Sequence, residues 1–139
     1  LEKEIEYHSK VNIDKEILDK IIEKNLKIVN EVKDKEDIKT FNVQAHNNIY
    51  NDTINKNPNI DLIYLYDIEG NLISVSQEIE DFDVRNRSWF TGALQEEVYI
   101  SDFYISLDTN KVNITISAQI KDMDNKFVGI IGFDIQIES

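Results

Sequence analysis

The chain has 139 residues, with 27 acidic and 15 basic side chains and a formal charge of −12. This length suits one domain with its own core. An apolar content of 41%, with six Phe, six Tyr and one Trp, argues against a disordered chain. The absence of cysteine excludes a disulfide framework, thiolate metal sites and a cysteine nucleophile. The acidic balance disfavours binding to nucleic acid and to anionic lipid, because both need clustered Lys and Arg.

No stretch approaches the roughly 20 apolar residues that a membrane span needs. The most apolar stretch, residues 127–137, is interrupted by Asp134, Gln136 and two glycines. The chain opens without a signal peptide and without methionine. We therefore expect it to be one domain of a longer protein whose membrane segments lie outside it.

The first third of the chain is predicted to form a long N-terminal helix over residues 1–33. It contains neither Gly nor Pro as far as Val32, and its apolar residues recur at intervals of three, four and seven. This stripe consists of Tyr7, Val11, Leu18, Ile22, Val29 and Val32, with Ile17, Ile21 and Ile28 beside it. Two interpretations stay open: a helix packed on the core, and a stalk or dimer helix that runs toward a membrane.

A second helix is predicted within residues 34–56. A charged segment beginning at Asp34 indicates a break, and helical periodicity resumes from Glu36 to Asn55. Its apolar side consists of Ile38, Phe41, Ala45 and Ile49. Pro58 ends the helix, because proline cannot continue it and disfavours helical geometry at the residue before it.

After Pro58 the apolar period changes to two, which predicts strands. The predicted strands are Asp61–Asp67, Leu72–Ser76, Val112–Lys121 and Phe127–Ile137, with turns at residues 68–71 and 122–125. Along Val112–Lys121, Val and Ile alternate with Asn, Thr, Ser and Gln, so one face is apolar and the other polar. Two hairpins after two helices predict an α+β fold with an antiparallel sheet.

Residues 81–108 show neither the helical period nor the strand period of two. They contain most of the side chains that could bind a ligand. They include Asp81, Asp83, Arg85, Arg87, Trp89 and Phe90. Arginine can grip a carboxylate with two parallel hydrogen bonds, which lysine cannot do. One interpretation is a pocket with aromatic walls beside Arg87. The alternative is a loop packed on the core by Trp89, with both arginines paired to Asp81 and Asp83.

Asp134 interrupts an otherwise apolar strand. Alternation places it on the same face as Val128, Ile130 and Gly132, and the glycine is expected to leave room above the sheet. A carboxylate in that position needs a partner, since burying it unpaired is costly. The partner is either a cationic ligand group or one of the two arginines.

Four motifs in register resemble the signature of Cache domains. They are Arg85-x-Arg87-x-Trp89-Phe90, Ser101-Asp102-Phe103-Tyr104, Asn113-x-Thr115-x-Ser117 and Gly129-x-x-Gly132-x-Asp134. Cache domains are PAS-like sensor modules of bacterial and archaeal chemoreceptors, histidine kinases and diguanylate cyclases. The resemblance covers about residues 60–137. It implies a central sheet of five or six strands, with the long helix on one face and a ligand pocket on the other. Residues 1–139 are similar to a single-Cache module.

The resemblance also implies the site residues. Arg87 and Trp89 correspond to the residues that hold a ligand carboxylate, and Tyr104 and Asp134 to those that hold an ammonium group. Phe82 and Phe90 stand where the motif has tyrosines, so two hydroxyl donors are missing. The predicted ligand-binding set is Arg87, Trp89, Phe90, Tyr104, Asp134, Phe82, Asp102 and Thr115.

The leading functional hypothesis is an extracytoplasmic ligand-sensing domain of a transmembrane receptor, without catalysis. It would bind an amino acid, an amine or a small carboxylate under the 81–108 loop, and it would dimerise through the N-terminal helix. The alternative is a ligand-free dimerisation or spacer module, in which Arg87 and Asp134 form an internal pair. An acid–base enzyme that uses carboxylates such as Asp83, Asp102 and Asp134 is disfavoured, because no nucleophile or phosphate-binding motif accompanies them.

No cofactor or metal is expected. His8 and His46 lie in predicted helices without metal-ligand spacing, which favours surface or packed histidines. The run Asp122-x-Asp124-Asn125 lacks the closing Glu of a calcium loop, so a hairpin turn explains it better.

Overall fold

The computed structural model describes residues 4–6, 14–80 and 83–137, with the backbone alone at residues 4–6. Its elements in chain order are β1 (Glu4–Glu6), α1 (Lys15–Lys33), α2 (Glu36–Lys39), α3 (Val43–Lys56), β2 (Ile60–Asp67), β3 (Leu72–Val75), α4 (Ser88–Gln95), β4 (Val98–Ile100), β5 (Tyr104–Ser106), β6 (Val112–Lys121) and β7 (Phe127–Gln136). The predictions for Tyr7, His8, Val11, Asp81 and Phe82 lie outside the described residues.

One antiparallel sheet organises the described part of the chain. Its strand order is β1-β5-β6-β7-β2-β3, and β4 also pairs with β6. β5 pairs with the start of β6 at Val112 and Asn113, whereas β4 pairs further along, from Ile116 to Ala118. The seven strands therefore share six positions across the sheet. The predicted α+β fold is confirmed, including both hairpins.

The long N-terminal helix is confirmed from Lys15 onward. It begins after Asp14, whose Oδ1 accepts a hydrogen bond from the N–H of Glu16 at 2.8 Å. Such a cap satisfies a helix N–H that has no partner within the helix. Upstream, Glu4–Glu6 form β1, which pairs with β5. The prediction of helix from residue 1 is therefore wrong at its start, because the chain adds a strand to the sheet edge first.

The apolar stripe of α1 lies on the sheet. Val29 and Val32 are buried, and Leu18 and Ile22 pack against the same core. Ile17, in the flanking row, is 54% exposed. Within the described ranges, no helix combines the length and the apolarity that a membrane crossing requires.

The second predicted helix is two helices. α2 ends at Lys39 and α3 starts at Val43, and between them Phe41 adopts a positive φ of 54°. The Phe41 ring packs against the core beside Gly129, where an added Cβ would lie 2.9 Å from Cζ of the ring. The break therefore turns Phe41 toward the sheet. The predicted end is confirmed, since α3 ends at Lys56.

The central strands separate two cores, one on each face. On one face of β6 lie the alternating apolar residues, which pack with α1–α3 in the larger core. On the other face Ser117 meets α4, where a smaller core gathers around Trp89 and includes Tyr64, Tyr66 and Ile130. The predicted polar and apolar faces of β6 are confirmed. The polar face is the one that supports the site described below.

One strand face was predicted wrongly. The register between β6 and β7 shifts at Ile120/Lys121. Val128 packs against the larger core, whereas Ile130 belongs to the smaller one. Val128 therefore does not share a face with Ile130 and Asp134, because strict alternation fails across the irregularity.

His46 lies on the buried face of α3. Its Nδ1 lies 2.7 Å from Oγ of Ser74, and its Nε2 lies 2.7 Å from the carbonyl oxygen of Asp37. A carbonyl can only accept, so in the neutral ring Nε2 carries the proton and Nδ1 accepts from Ser74. The Tyr50 hydroxyl lies 2.7 Å from the same Oγ, and burial raises the pKa of Tyr50 to about 12. These bonds tie α2 and α3 to β3.

Candidate functional site

A cavity of about 300 Å³ lies on the face of the sheet opposite α1. The segment around it was predicted as a loop, but it contains α4, β4 and β5. Five predicted site residues line the cavity: Arg87, Trp89, Asp102, Tyr104 and Thr115. Four lining residues were missed: Asn86, Ser88, Tyr99 and Ser101. Most of these flank a predicted residue in the quoted motifs. Tyr99 could have been found from strand alternation beside Val98.

α4 is held on the sheet by two side chains of β6. Ser117 Oγ donates to the carbonyl oxygen of Trp89 at 2.7 Å, and Gln119 Nε2 donates to that of Ala93 at 2.8 Å. The Trp89 ring is buried against Tyr64, with ring centroids 4.9 Å apart. These contacts fix the N-terminal end of the helix, and with it Arg87, at the cavity.

Arg87 differs from its neighbour Arg85. The Arg85 guanidinium binds Asp83 with two hydrogen bonds of 2.9 and 2.7 Å, which holds the pKa of that carboxyl well below its usual range. Within the described residues, the Arg87 side chain makes no ion pair or hydrogen bond. The alternative of two arginines paired to neighbouring aspartates thus describes Arg85 alone, and Asp81 lies outside the described residues.

Trp89 carries a buried donor without an acceptor. Its Nε1 finds no hydrogen-bond partner among the residues that the structure describes. An unsatisfied buried donor costs about 1–3 kcal/mol. The charged donor that the cavity lining does supply is the guanidinium of Arg87.

Asp134 lies behind the part of the cavity wall that Tyr104 and Thr115 form. It is 7% exposed, and its Oδ1 accepts hydrogen bonds from the Tyr64 hydroxyl at 2.7 Å and from Thr115 Oγ1 at 2.9 Å. Burial raises the pKa of Asp134, and these two bonds oppose that rise. Neither arginine is paired to Asp134 in the described residues, so the interpretation of an internal arginine–aspartate pair is not supported.

The space expected above Gly132 is filled. A Cβ at this glycine would collide with the Tyr64 ring and lie 2.8 Å from its hydroxyl oxygen. Tyr64 is the register partner of Gly132 across β2 and β7. The prediction of open room there is wrong, because a tyrosine 68 positions earlier in the chain fills it. No local pattern in the sequence signals that contact.

The hydrogen bonds between the hydroxyl groups near Asp134 run in a defined direction. Thr115 has one hydroxyl proton and donates it to Asp134. The bond of 2.7 Å between Thr115 Oγ1 and the Tyr104 hydroxyl must therefore take its proton from Tyr104. Donation runs from Tyr104 through Thr115 to the carboxylate. The cavity wall at Tyr104 and Thr115 is thereby polarised by the charge of Asp134.

Phe90 stands apart from the cavity. Phe90 is 2% exposed, lies outside the lining and packs edge-to-face on Trp89 at 5.8 Å. Phe82 lies outside the described residues. In the part of the chain that the structure describes, no three His, Asp or Glu side chains gather as a metal site.

Comparisons with solved structures reproduce this fold. The ligand-binding domain of the Campylobacter jejuni chemoreceptor Tlp3, in complex with L-valine, is 18% identical with a TM-score of 0.69, over 87% of this chain and 54% of that one. The ligand-binding domain of the Pseudomonas fluorescens chemoreceptor CtaA, in complex with L-alanine, is 18% identical with a TM-score of 0.67, over 87% and 54%. At this identity the similarity shows the fold. The chain spans about half the length of these domains.

A curated relative is the citrate (Re)-synthase of Syntrophus aciditrophicus (strain SB). It is 28% identical over an alignment of 131 residues, and the match covers 86% of this chain and 21% of that protein. The family model that matches residues 15–139 is described as methyl-accepting chemotaxis protein-like, first PDC sensor domain. The resemblance to Cache sensor domains is confirmed. The chain belongs to the methyl-accepting chemotaxis protein-like family of first PDC sensor domains.

Proposed function

We propose that this sensor domain binds a small molecule that carries both a carboxylate and an ammonium group, an α-amino acid above all. The observation that carries the proposal is the polarity of the cavity. Arg87, at the N-terminus of α4, brings a guanidinium to the cavity lining, and Trp89 forms part of the wall beside it. Tyr104 and Thr115, backed by Asp134, bring hydroxyl oxygens to the lining from β5 and β6.

The ligand carboxylate is assigned to the α4 end. A guanidinium binds a carboxylate with two parallel hydrogen bonds, and Arg87 lines the cavity at the N-terminus of α4, with Trp89 in the wall beside it. Phe90 offers no hydroxyl and lies outside the lining. This end therefore depends on Arg87 and Trp89.

The ligand ammonium is assigned to the β5–β6 end. When Asp134 is ionised, it accepts a hydrogen bond from Thr115, and Thr115 accepts one from Tyr104. The hydroxyl protons therefore point toward Asp134 and away from the cavity. A positively charged group at this wall would offset the cost of burying Asp134. Asp102, which also lines the cavity, adds negative charge at the same side.

The structural relatives support the ligand class. The Tlp3 domain is in complex with L-valine and the CtaA domain with L-alanine. A cavity of about 300 Å³ lies at the small end of ligand pockets, roughly 300–1,000 Å³. Amino acids the size of L-alanine and L-valine fit a cavity of this volume.

Residues 1–139 are proposed to form one extracytoplasmic module of a receptor anchored by membrane segments outside this chain. β6 is the proposed route for the signal, because it presents Thr115 to the cavity and Ile114 and Ile116 to the helix-side core. A second copy is proposed to pack on α1 at Ile17, which is exposed, whereas Ile21 and Ile28 of the same row pack against the core. Ligand binding can bias two arrangements only by its difference in affinity for them.

No catalysis is proposed for the domain. The similarity to citrate (Re)-synthase covers 21% of that protein, so it transfers no reaction to this chain. The ligand-free spacer hypothesis requires a pair between Arg87 and Asp134. Asp134 instead binds Tyr64 and Thr115 in the described structure.

Titration calorimetry with three matched compounds tests the proposal. L-alanine carries both charged groups, propionate lacks the amine, and ethylamine lacks the carboxylate. We expect L-alanine to bind at least about tenfold more tightly than either analogue, since one charge-assisted hydrogen bond contributes about 1.5–3 kcal/mol. Bound at 100 times its dissociation constant, it should stabilise the fold by about 2.7 kcal/mol.

Arg85 provides a matched control for Arg87. Arg87→Ala should weaken L-alanine binding about tenfold or more, whereas Arg85→Ala, two positions away and outside the cavity lining, should leave it at the wild-type value. Equal losses in the two variants would overturn the assignment of Arg87. A wild-type domain that binds none of the three compounds would overturn the proposed function.

A further inference from the structure

Tyr99 and Gly92 form a close contact at the wall of the cavity. Tyr99 lies on β4 and lines the cavity. Gly92 lies in the middle of α4, and a Cβ at that position would collide with Cγ, Cδ1 and Cε1 of the Tyr99 ring. The ring therefore lies directly on the backbone of the helix, where glycine is required for the close approach.

The helix and the strand that make this contact are both fixed to β6. Tyr99 pairs with Ser117 in the β4–β6 register, and the same Ser117 donates to the Trp89 carbonyl in α4. Gln119, two residues further along β6, donates to the carbonyl of Ala93, next to Gly92. The distance between α4 and β4 at Gly92 and Tyr99 is thus set by a shared support.

An amino acid presents three groups to a site, and the proposed function uses two walls of the cavity. Arg87 and Trp89 are assigned to the carboxylate, and Tyr104 and Thr115 to the ammonium. Among the remaining lining residues, Tyr99 supplies the large side chain, next to Asn86, Ser88 and Ser101. The ligand side chain therefore meets Tyr99.

We propose that Tyr99, seated on Gly92, sets the size limit of the ligand side chain and makes the site selective for α-amino acids with short side chains. This inference rests on the proposed function and adds the residue that determines specificity. A rigid aromatic wall excludes larger ligands because a close-packed interior does not yield to extra methylene groups without strain.

The experiment measures affinities for L-alanine, L-valine, L-leucine and L-phenylalanine by titration calorimetry. The wild-type domain should bind L-alanine at least about tenfold more tightly than L-leucine and L-phenylalanine, since a single methylene group changes binding by about 10–200-fold and both side chains are larger than that of alanine by more than one such group. Tyr99→Ala should reduce the ratio of the L-alanine affinity to the L-leucine and L-phenylalanine affinities about tenfold. Tyr99→Leu, which keeps an apolar side chain against α4, should move the ratio in the same direction. Leu94→Ala is the matched control, because Leu94 lies on the same helix, is 42% exposed and does not line the cavity.

The outcomes separate this inference from the proposed function. Relaxed selectivity in both Tyr99 variants, with the wild-type ratio in Leu94→Ala, supports the inference. A wild-type domain that binds L-alanine but shows the same ratios in both Tyr99 variants overturns it and leaves the proposed function standing. A wild-type domain that binds none of the four amino acids overturns the proposed function itself.

Discussion

The hydroxyl of Tyr64 donates to Oδ1 of Asp134 at 2.7 Å, across 70 positions of sequence. The contact depends on Gly132, the register partner of Tyr64, because any side chain at that glycine would displace the tyrosine ring. Thr115, the register partner of Asp134, donates to the same oxygen at 2.9 Å. Three adjacent strands thus support one buried carboxylate beneath the cavity.

Asp134→Asn should separate the fold from ligand binding. The amide keeps an Oδ1 that can accept from Tyr64 and Thr115, while it removes a charge whose burial raises the pKa of the carboxyl. We expect the free energy of unfolding at pH 7 to equal or exceed the wild-type value, with L-alanine affinity reduced about tenfold or more. Thermal unfolding and calorimetry measure the two quantities. A less stable variant with wild-type affinity would show that Asp134 serves the fold.

Ligand affinity should fall as the pH falls through the raised pKa of Asp134. An ammonium group at the Tyr104–Thr115 wall is attracted by the ionised carboxylate of Asp134 behind it, and the free domain takes up a proton on Asp134 at a higher pH than an ordinary Asp of pKa 3.8 does. Each pH unit below that pKa should weaken binding by up to about tenfold. Calorimetry on wild type and Asp134→Asn isolates the effect, because the variant should lack this component. Parallel pH profiles for the two proteins would contradict the ammonium assignment.

The same pKa shift should act on stability with the opposite sign. In the window between the unfolded and folded pKa values of Asp134, the folded domain binds more protons than the unfolded chain. The contribution of Asp134 to stability therefore improves as the pH falls through that window. On acidification, the free energy of unfolding of the wild type should rise relative to that of Asp134→Asn. Denaturant titrations at several pH values measure this difference. A shift toward the variant would mean that the folded pKa is lowered.

Gly92→Ala should destabilise the domain although alanine is the better helix former by about 1 kcal/mol. The added methyl group collides with the Tyr99 ring, and overpacking of this kind costs about 1–3 kcal/mol. In the double variant with Tyr99→Ala the collision is absent, so Gly92→Ala should become neutral or stabilising. Denaturant unfolding of the four proteins gives this cycle. Additive effects would show that Gly92 and Tyr99 do not interact.

Stability should decline between about pH 10 and 12 in part through Tyr50. Burial raises the pKa of Tyr50 from 10.0 to about 12, so the unfolded chain ionises this phenol before the folded domain does. The contribution is fully present below pH 10 and is lost as the pH rises toward the folded value. Tyr50→Phe should flatten the alkaline decline, with a cost of about 1 kcal/mol at neutral pH from the lost bond to Ser74. A decline as steep as that of the wild type would contradict the buried phenol.

Much of the secondary structure follows from the sequence, because it depends on neighbouring residues. The alternation from Val112 to Lys121 predicts β6 with the observed bounds. Pro58 predicts the end of α3 to within one residue. The four motifs predict the sensor fold and bring Arg87, Trp89, Tyr104 and Thr115 to one cavity. The ligand assignments of these residues stay predictions.

Other features depend on contacts between distant segments, which local periodicity cannot encode. The break at Phe41 exists because its ring packs beside Gly129, and β1 exists because the edge of β5 accepts a strand. Arg85 and Arg87 have the same chemistry but different surroundings. Arg85 forms an ion pair with Asp83, whereas Arg87 lines the cavity.

The sequence by itself determined the α+β class, the strand faces of β6 and the residue types available for a polar ligand. Only the tertiary structure decided that Tyr64 fills the space above Gly132, that Asp134 reaches the cavity through Thr115, and that Tyr99 lies on Gly92. The physical reason is that hydrophobic period and turn chemistry act over a few residues. Hydrogen-bond partners and cavity walls are set where strands far apart in the chain come into register.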